Sequence, residues 1–323
     1  MLLPNRLTEQ NAEKLIKNIL SYKVLIPKYS KKPFIVATLK ISGFVGEPLL
    51  NKKFQEIVLT LIKKFKSAGR RVVVFTNGSS LGNNFIRKNI VLADSIHISL
   101  DAGSDKTFRK LRNPPDSISY KKTLSNIGLL CRMRDRKKLD SQIGVGFIIN
   151  KDNFKEIYKA AKDAKRIGAD FIRYKFDITG SSILLKKEDQ MANLLLDQSF
   201  LLEDRNFNVF LTKTEEGGTI TPKNSACYTQ YFWGTVGADG NMYPCDHNTI
   251  NNCPDFGNII DNSLEKIWKS KQRRDARKYI PKICVLCSPF ASRINPFIEK
   301  INKLKKKYGW MKLEKWRKQI LAN

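Results

Sequence analysis

Four cysteines are the residues whose types and spacing most plainly ask for chemistry. Cys284 and Cys287 form "CVLC", and a C-x-x-C turn sets two sulfurs close enough to ligate one metal ion or one edge of a cluster. Cys227 and Cys245 bracket "CYTQYFWGTVGADGNMYPC", which reads as strand, turn at Ala238-Asp239-Gly240, and strand. Such a hairpin brings its two ends side by side. Four thiolates then converge, which suits zinc or an iron–sulfur cluster, and spacing does not choose between them. Zinc sites are often built from two C-x-x-C pairs, and only one pair here has that spacing. Of the remaining thiols, Cys253 reads as an idle neighbour of the site and Cys131 as a buried structural cysteine.

Five of the six cysteines fall after residue 226 of 323, which suggests a site rather than scattered usage. No apolar run approaches the roughly 18 residues of a membrane span, and "MLLPNRLTEQ" is too poor in apolar residues for a signal peptide. A cytoplasmic location is therefore expected, with thiols reduced unless a metal claims them. The net charge of +29 admits an anionic partner, but Lys far outnumbers Arg and the basic residues are spread along the chain. Nucleic acid is therefore an admissible partner that the charge alone does not favour.

The elements that must position these residues come in two textures. The first two-thirds alternates apolar runs with helical patterns. "FIVATLKIS" (34–42) reads as a buried strand, followed by a helix over about 52–68. Further strands are expected at 71–78, 95–103, 143–150 and 171–179, with a helix over about 117–136 and another through Ile157 and Ala164. Near-continuous apolar strands separated by helices imply a parallel sheet covered on its outer face, as an open sheet or a barrel. The carboxyl ends of such strands share one rim, and that rim carries the chemistry. "SGFVGEP", "TNG" and "SLDAG" follow the first three strands, so Glu47, Asn77, Ser99 and Asp101 are expected to converge there. The competing reading is that the glycines of these loops only shape turns. From about Asn206 turn residues become dense and the cysteines appear, and from about Asn295 the chain is basic and helical. The tail reads as an amphipathic helix docked on its own domain, with a solvated Lys face.

Taken in order, "ISGFVGEPLLN", "VVVFTNGSSL" and "IHISLDAGSDKTFRKLR" resemble successive core segments of radical S-adenosylmethionine (SAM) enzymes. "C…GADGNMYPC…FGNIIDNSLEKIWKS…CVLC" resembles the SPASM/twitch auxiliary-cluster region attached to many of them. The resemblance spans about residues 8–287. It implies an α/β fold: a partial (β/α)6 TIM-like barrel over 1–205, a small cysteine-rich α+β SPASM/twitch-like domain over 206–294, and a basic helical tail over 295–323. It also implies that Gly46 and Glu47 sit beside the SAM amino group, and that Asn77, Ser99 and Asp101 lie near its carboxylate or ribose. Asn153 is a weaker candidate on the same rim. Cys227, Cys245, Cys284 and Cys287 would hold one auxiliary [4Fe-4S] cluster.

Two departures from the family pattern matter. "SPFASRINPF" after the C-x-x-C supplies no further cysteine, so one auxiliary cluster is expected, closer to the twitch type. Family members also carry a C-x3-C-x2-C loop binding the cluster that cleaves SAM, whereas no cysteine here precedes Cys131. "MLLPNRLTEQNAEKL" resembles the stretch just downstream of that loop, so the first barrel strand is expected to be missing with it. A second [4Fe-4S] cluster is expected only if the segment is present. Either an N-terminally truncated enzyme or a split, non-catalytic relative fits, and the chain as it stands is expected not to cleave SAM. In full-length form the resemblance implies an oxidoreductase-type enzyme. It would generate a 5′-deoxyadenosyl radical that abstracts hydrogen from a peptide or small-molecule substrate, with flavodoxin or ferredoxin as electron donor. The rival is a non-catalytic iron–sulfur or zinc-binding module whose basic surface meets nucleic acid.

Overall fold

The computed structural model describes residues 8–24, 33–43, 46–50, 52–177, 184–212, 226–245, 255–276 and 289–309. The chain divides into two compact units, one holding the described residues up to Thr212 and the other those from Ala226 onward.

The first unit is built on six parallel strands in sequential order: β3 (Thr38–Ile41), β4 (Arg71–Thr76), β5 (Ser95–Ser99), β6 (Gln142–Ile149), β7 (Phe171–Phe176) and β8 (Asn208–Thr212). Two short strands, β1 (Lys23–Val24) and β2 (Phe34–Ile35), form a separate antiparallel ladder ahead of it. Helices join the strands: α2 (Lys52–Ser67), α3 (Asn84–Ile90), α4 (Asp105–Arg112), α5 (Tyr120–Arg136), α6 (Ile157–Arg166) and α7 (Lys186–Phe200), with α1 (Glu9–Leu20) ahead of the sheet. Short polar side chains open several of them. Thr8, Asn83, Ser104 and Ser119 each accept a hydrogen bond from a first-turn backbone N–H, satisfying donors that have no partner inside the helix.

The sheet has two unlike faces. Val72, Val74, Ile96, Ile98, Ile143, Val145, Phe147, Ile172, Tyr174 and Val209 are all buried, and the Tyr174 hydroxyl donates to the Ile157 carbonyl of α6 at 2.7 Å. Each such aliphatic side chain contributes about 1.5–3 kcal/mol by leaving water. On the alternate positions Phe75, Gly146, Arg173 and Lys175 are half-buried, and Phe210 and Ile148 are exposed. At the amino ends of the strands, aspartates stitch neighbours together. Asp94 accepts from Val72 N and Lys66 Nζ, and Asp170 from Ile143 N and Arg134. The carboxyl ends are left to the loops.

Three sequence expectations are corrected. "FIVATLKIS" is two short strands rather than one, and its residues up to Thr38 are mostly exposed, because Phe34–Ile35 leaves the sheet to pair with β1 and Thr38–Ile41 is an edge strand with β4 as its only strand neighbour among the described residues. The sheet runs past residue 205, since Asn208–Thr212 pairs in parallel with β7. The division at 294/295 falls inside a single helix, α9 (Pro289–Tyr308).

The second unit carries a two-stranded hairpin, β9 (Thr235–Val236) with β10 (Met242–Tyr243), a short helix α8 (Leu264–Trp268) capped by Ser263, and α9. The hairpin turn is held by the buried Asp239. Its carboxylate accepts from Asn241 N at 3.0 Å and from the Tyr243 hydroxyl at 2.7 Å, and burial followed by that carboxylate pushes the phenol up to about 12. Gly240 sits at φ 79° with Ile260 2.5 Å from where a Cβ would stand, so only glycine fits. On α9, Lys303 and Lys305–Lys307 are exposed while Ile301 and Leu304 are half-buried. No helix among the described residues is long and apolar enough to cross a membrane.

Candidate functional site

The loops after β3 and β4 are tied together by one carboxylate. Glu47 Oε1 accepts from the Thr76 hydroxyl at 2.7 Å and from Leu49 N at 3.1 Å, and Glu47 Oε2 accepts from Asn77 N at 2.6 Å. A half-buried, charged acceptor with three donors is fixed in place. Asn77 turns its own side chain back, Oδ1 accepting from Ser79 N at 2.9 Å. Gly78 then takes φ 78°, with Ile98 2.9 Å from where a Cβ would be, which is why "TNG" ends in glycine. Gly46 is exposed, and a Cβ there would meet nothing within 4 Å. The backbone beside Glu47 is therefore open to the approach of a ligand.

The loops after β5 and β6 form a second knot. Asp101 adopts φ 53°, and its carboxylate accepts from Ile148 N at 2.8 Å and from Arg112 at 2.9 Å. Asn153 is fully buried; its amide donates to the carbonyls of Asp101 and Ile148 while Oδ1 accepts from Asn150 N. Asn153 thus spends its side chain joining the two loops. Glu156, three residues on, accepts from Gly103 N, the Ser104 hydroxyl and the Thr107 hydroxyl at 2.5–2.8 Å, anchoring the start of α4. Ser99 is half-buried at the end of β5, opposite Gly146. Glu47 and Asn77 are joined in one knot, Asp101 and Asn153 in the other, and Ser99 stands in the strand between.

Sequence reading missed Thr76, His97, Arg173 and Lys175. His97 is buried, stacked on Phe75 at 4.5 Å between ring centroids and tilted against Phe171 at 5.0 Å. Burial first, then the positive charges of Arg173, Lys175, Lys40 and Arg71, push its pKa down to about 3. The signal was present in "FIRYKF", where cations recur with period two inside an apolar strand.

In the second unit, Cys227 and Cys245 are half-buried. Cys245 comes two residues after Tyr243 at the end of the hairpin, and Cys227 precedes a short turn, Thr229–Tyr231. Asn295 on α9 accepts from Tyr228 N at 2.8 Å and Thr229 N at 3.0 Å, and Glu299 accepts from the Tyr228 hydroxyl at 2.7 Å. The helix beginning two residues after Cys287 is thereby pinned to the residues directly after Cys227. Cys284, Cys287 and Cys253 lie outside the described residues. Among the described residues no three His, Cys, Asp or Glu side chains form a metal-binding group. Cys131 is buried and its thiol is pushed up to about 12 by that burial, so it stays protonated.

Residues 35–180 match the model of the Radical SAM superfamily, and residues 227–288 match SPASM, an iron–sulfur cluster-binding domain. The chain carries a radical SAM domain followed by a SPASM domain. In fold, it resembles Streptococcus suis SuiB bound to S-adenosylmethionine, with a TM-score of 0.58 at 12% identity, over 88% of this chain and 67% of that one. SuiB bound to its precursor peptide SuiA gives 0.52 at 12% identity, over 78% and 61%. Among curated proteins, an S-adenosylmethionine-dependent nucleotide dehydratase of Lacinutrix mariniflava is 29% identical over 117 residues, 36% of this chain but only 23% of that protein.

SAM and [4Fe-4S] clusters are the cofactors of these two domains. The residues present fit them as far as they are described: two thiols at the ends of a hairpin in the second unit, and an open backbone beside a fixed carboxylate in the first.

Proposed function

We propose that the sheet unit binds SAM along the rim formed by Gly46, Glu47, Asn77, Ser99 and Asp101, and that the second unit holds one auxiliary [4Fe-4S] cluster on Cys227, Cys245, Cys284 and Cys287. The observation that carries this reading is the Glu47 carboxylate, held by Thr76, Asn77 and Leu49 beside open space at Gly46. A carboxylate so fixed suits a ligand's ammonium group, because its position costs nothing to organise when the ligand arrives. Asn153 supports the rim by holding Asp101 and Ile148.

With a C-x3-C-x2-C segment and its reduced cluster joined to the chain, SAM held on this rim would supply a 5′-deoxyadenosyl radical for hydrogen abstraction from a peptide or small-molecule substrate. The protein's own contribution is to place one C–H bond and to exclude water. The auxiliary cluster would pass or accept an electron, its potential tuned by hydrogen bonds around the sulfurs, with a flavodoxin- or ferredoxin-type donor. SuiB's precursor peptide supports a peptide substrate, and the nucleotide dehydratase supports a small molecule. No C-x3-C-x2-C occurs in this sequence, so these 323 residues alone are proposed to bind SAM without cleaving it.

Anaerobic reconstitution with iron and sulfide tests the cluster. A brown protein with visible absorption is expected, lost in Cys227→Ala and Cys245→Ala and kept in Cys131→Ala. A colourless, zinc-loaded protein would overturn the cluster reading, and 5′-deoxyadenosine above background would overturn the inactivity.

A further inference from the structure

The half-open face of the sheet carries a row of rings. Phe75 on β4 stacks on His97 of β5, His97 meets Phe171 of β7, and Phe171 meets Phe210 of β8 at 5.8 Å between centroids. The row crosses β6 because that strand has Gly144 at the crossing point, where a Cβ would lie 2.1 Å from the Phe171 ring.

Cations stand over this row. Lys40 Nζ lies 4.9 Å from the Phe75 centroid, and the Arg173 guanidinium 5.7 Å from both Phe171 and Phe210. Lys175 comes two residues after Arg173 on the same side of β7. Arg173 is half-buried, and among the described residues no carboxylate lies within ion-pair reach of it. Its pKa is lowered by burial alone. Arg112 and Arg134, likewise half-buried, have carboxylate partners in Asp101 and Asp170. A guanidinium kept partly out of water without a counter-charge is costly unless a ligand supplies one.

We infer that this face binds a phosphate-bearing small substrate, with Arg173 as the anion fork and the ring row as the floor under its apolar or planar part. Arg is suited to this because its planar donors match phosphate oxygens two at a time. Lys40 and Lys175 lie on the same face and add positive charge around His97. The inference rests on the proposal that the sheet unit binds SAM and a substrate.

The test is calorimetric titration of the reconstituted full chain with tripolyphosphate, with CTP, with a Glu-rich peptide and, separately, with SAM. Tripolyphosphate and CTP are expected to bind, about tenfold or more weaker in Arg173→Gln and with part of the affinity kept in Arg173→Lys. Lys187→Ala, an exposed residue on α7, is expected to change nothing; an equal loss there would reduce the binding to surface charge and overturn the inference. Should Arg173→Gln fail to fold, the wild type decides by NMR. The chain has two histidines, His97 and His247, and tripolyphosphate is expected to shift the His97 ring resonances. Unmoved His97 resonances at saturating tripolyphosphate would overturn the inference. Binding of the Glu-rich peptide alone would overturn the phosphate assignment. SAM binding without tripolyphosphate binding would sink the inference and leave the radical SAM reading standing, whereas failure of both would sink the two together.

Discussion

Asn295 and Thr229 are joined twice: Asn295 Oδ1 accepts from Thr229 N at 3.0 Å and from the Thr229 hydroxyl at 2.9 Å, and it also takes Tyr228 N. One buried amide oxygen therefore satisfies the turn just after Cys227. Asn295→Ala leaves those donors unmet, and a cost of about 1–3 kcal/mol is expected, with poorer cluster retention on reconstitution. No tryptophan occurs before Trp233, so a urea titration followed by tryptophan fluorescence leaves the first unit silent. Asn295→Asp keeps the accepting oxygen and is expected to retain most of the stability. An unchanged midpoint in Asn295→Ala would show that the clamp is dispensable.

Glu47 offers a separation of charge from geometry. Glu47→Gln puts an NH2 group where Asn77 N or Thr76 now donates, and removes the charge. SAM affinity is expected to fall about tenfold or more. Thr76→Val deletes one donor to Glu47 and the acceptor for Gly78 N but keeps the carboxylate, so its effect on SAM affinity should be several-fold smaller. Equal losses in the two variants would mean that Glu47 acts only by holding the loop.

Features were legible in the sequence to the degree that they are local. β4 to β7 were visible because each combines β-branched or aromatic residues in a stretch that stands out from its flanks, and the hairpin because "GADGN" carries its own turn chemistry. β8 was missed because "NVFLT" is short and sits where turn residues begin to dominate. "FIVATLKIS" has the composition of a buried strand, but composition does not say that a strand lies at an edge. Glu47 and Asn77 were legible as polar residues after strands. That Asn153 is a fully buried clamp on Asp101 was not, since Asp101 comes from the loop after β5, 52 residues away, while its other partners are Ile148 of β6 and Asn150 just after that strand. Arg173 was overlooked for the opposite reason: its position in "FIRYKF" was plain, but the absence of a carboxylate beside it among the described residues is a property of the folded unit only.

Gly144 and Gly146 lie two residues apart on β6 and face the same open side, yet they should respond oppositely to the same substitution. A Cβ at Gly144 would fall 2.1–2.3 Å from the Phe171 ring, while at Gly146 nothing lies closer than 3.8 Å. Gly144→Ala must displace Phe171 and with it the contacts to His97 and Phe210, at a cost of about 1–3 kcal/mol. Gly146→Ala should be neutral or stabilise by a few tenths to about 1 kcal/mol through the unfolded chain. Thermal melts followed by far-ultraviolet circular dichroism distinguish them. Equal melts would mean that the ring row tolerates displacement.

His97 makes the stability of the sheet unit depend on pH in a defined window. Its pKa is about 3 in the folded chain against an ordinary 6.5. Between those values the unfolded chain binds a proton that the folded chain refuses. Stability should therefore be full above pH 6.5 and fall as pH drops below it, by at most about 1.4 kcal/mol per unit. Between pH 7 and pH 5 the expected loss is about 2 kcal/mol, measured as the urea midpoint by circular dichroism. His97→Phe, which keeps a ring against Phe75 and Phe171 but cannot take a proton, should flatten that part of the curve. A wild-type profile that is already flat from pH 7 to pH 5 would mean that His97 charges freely inside the ring row, and that the cations around it are screened by groups the row itself does not contain.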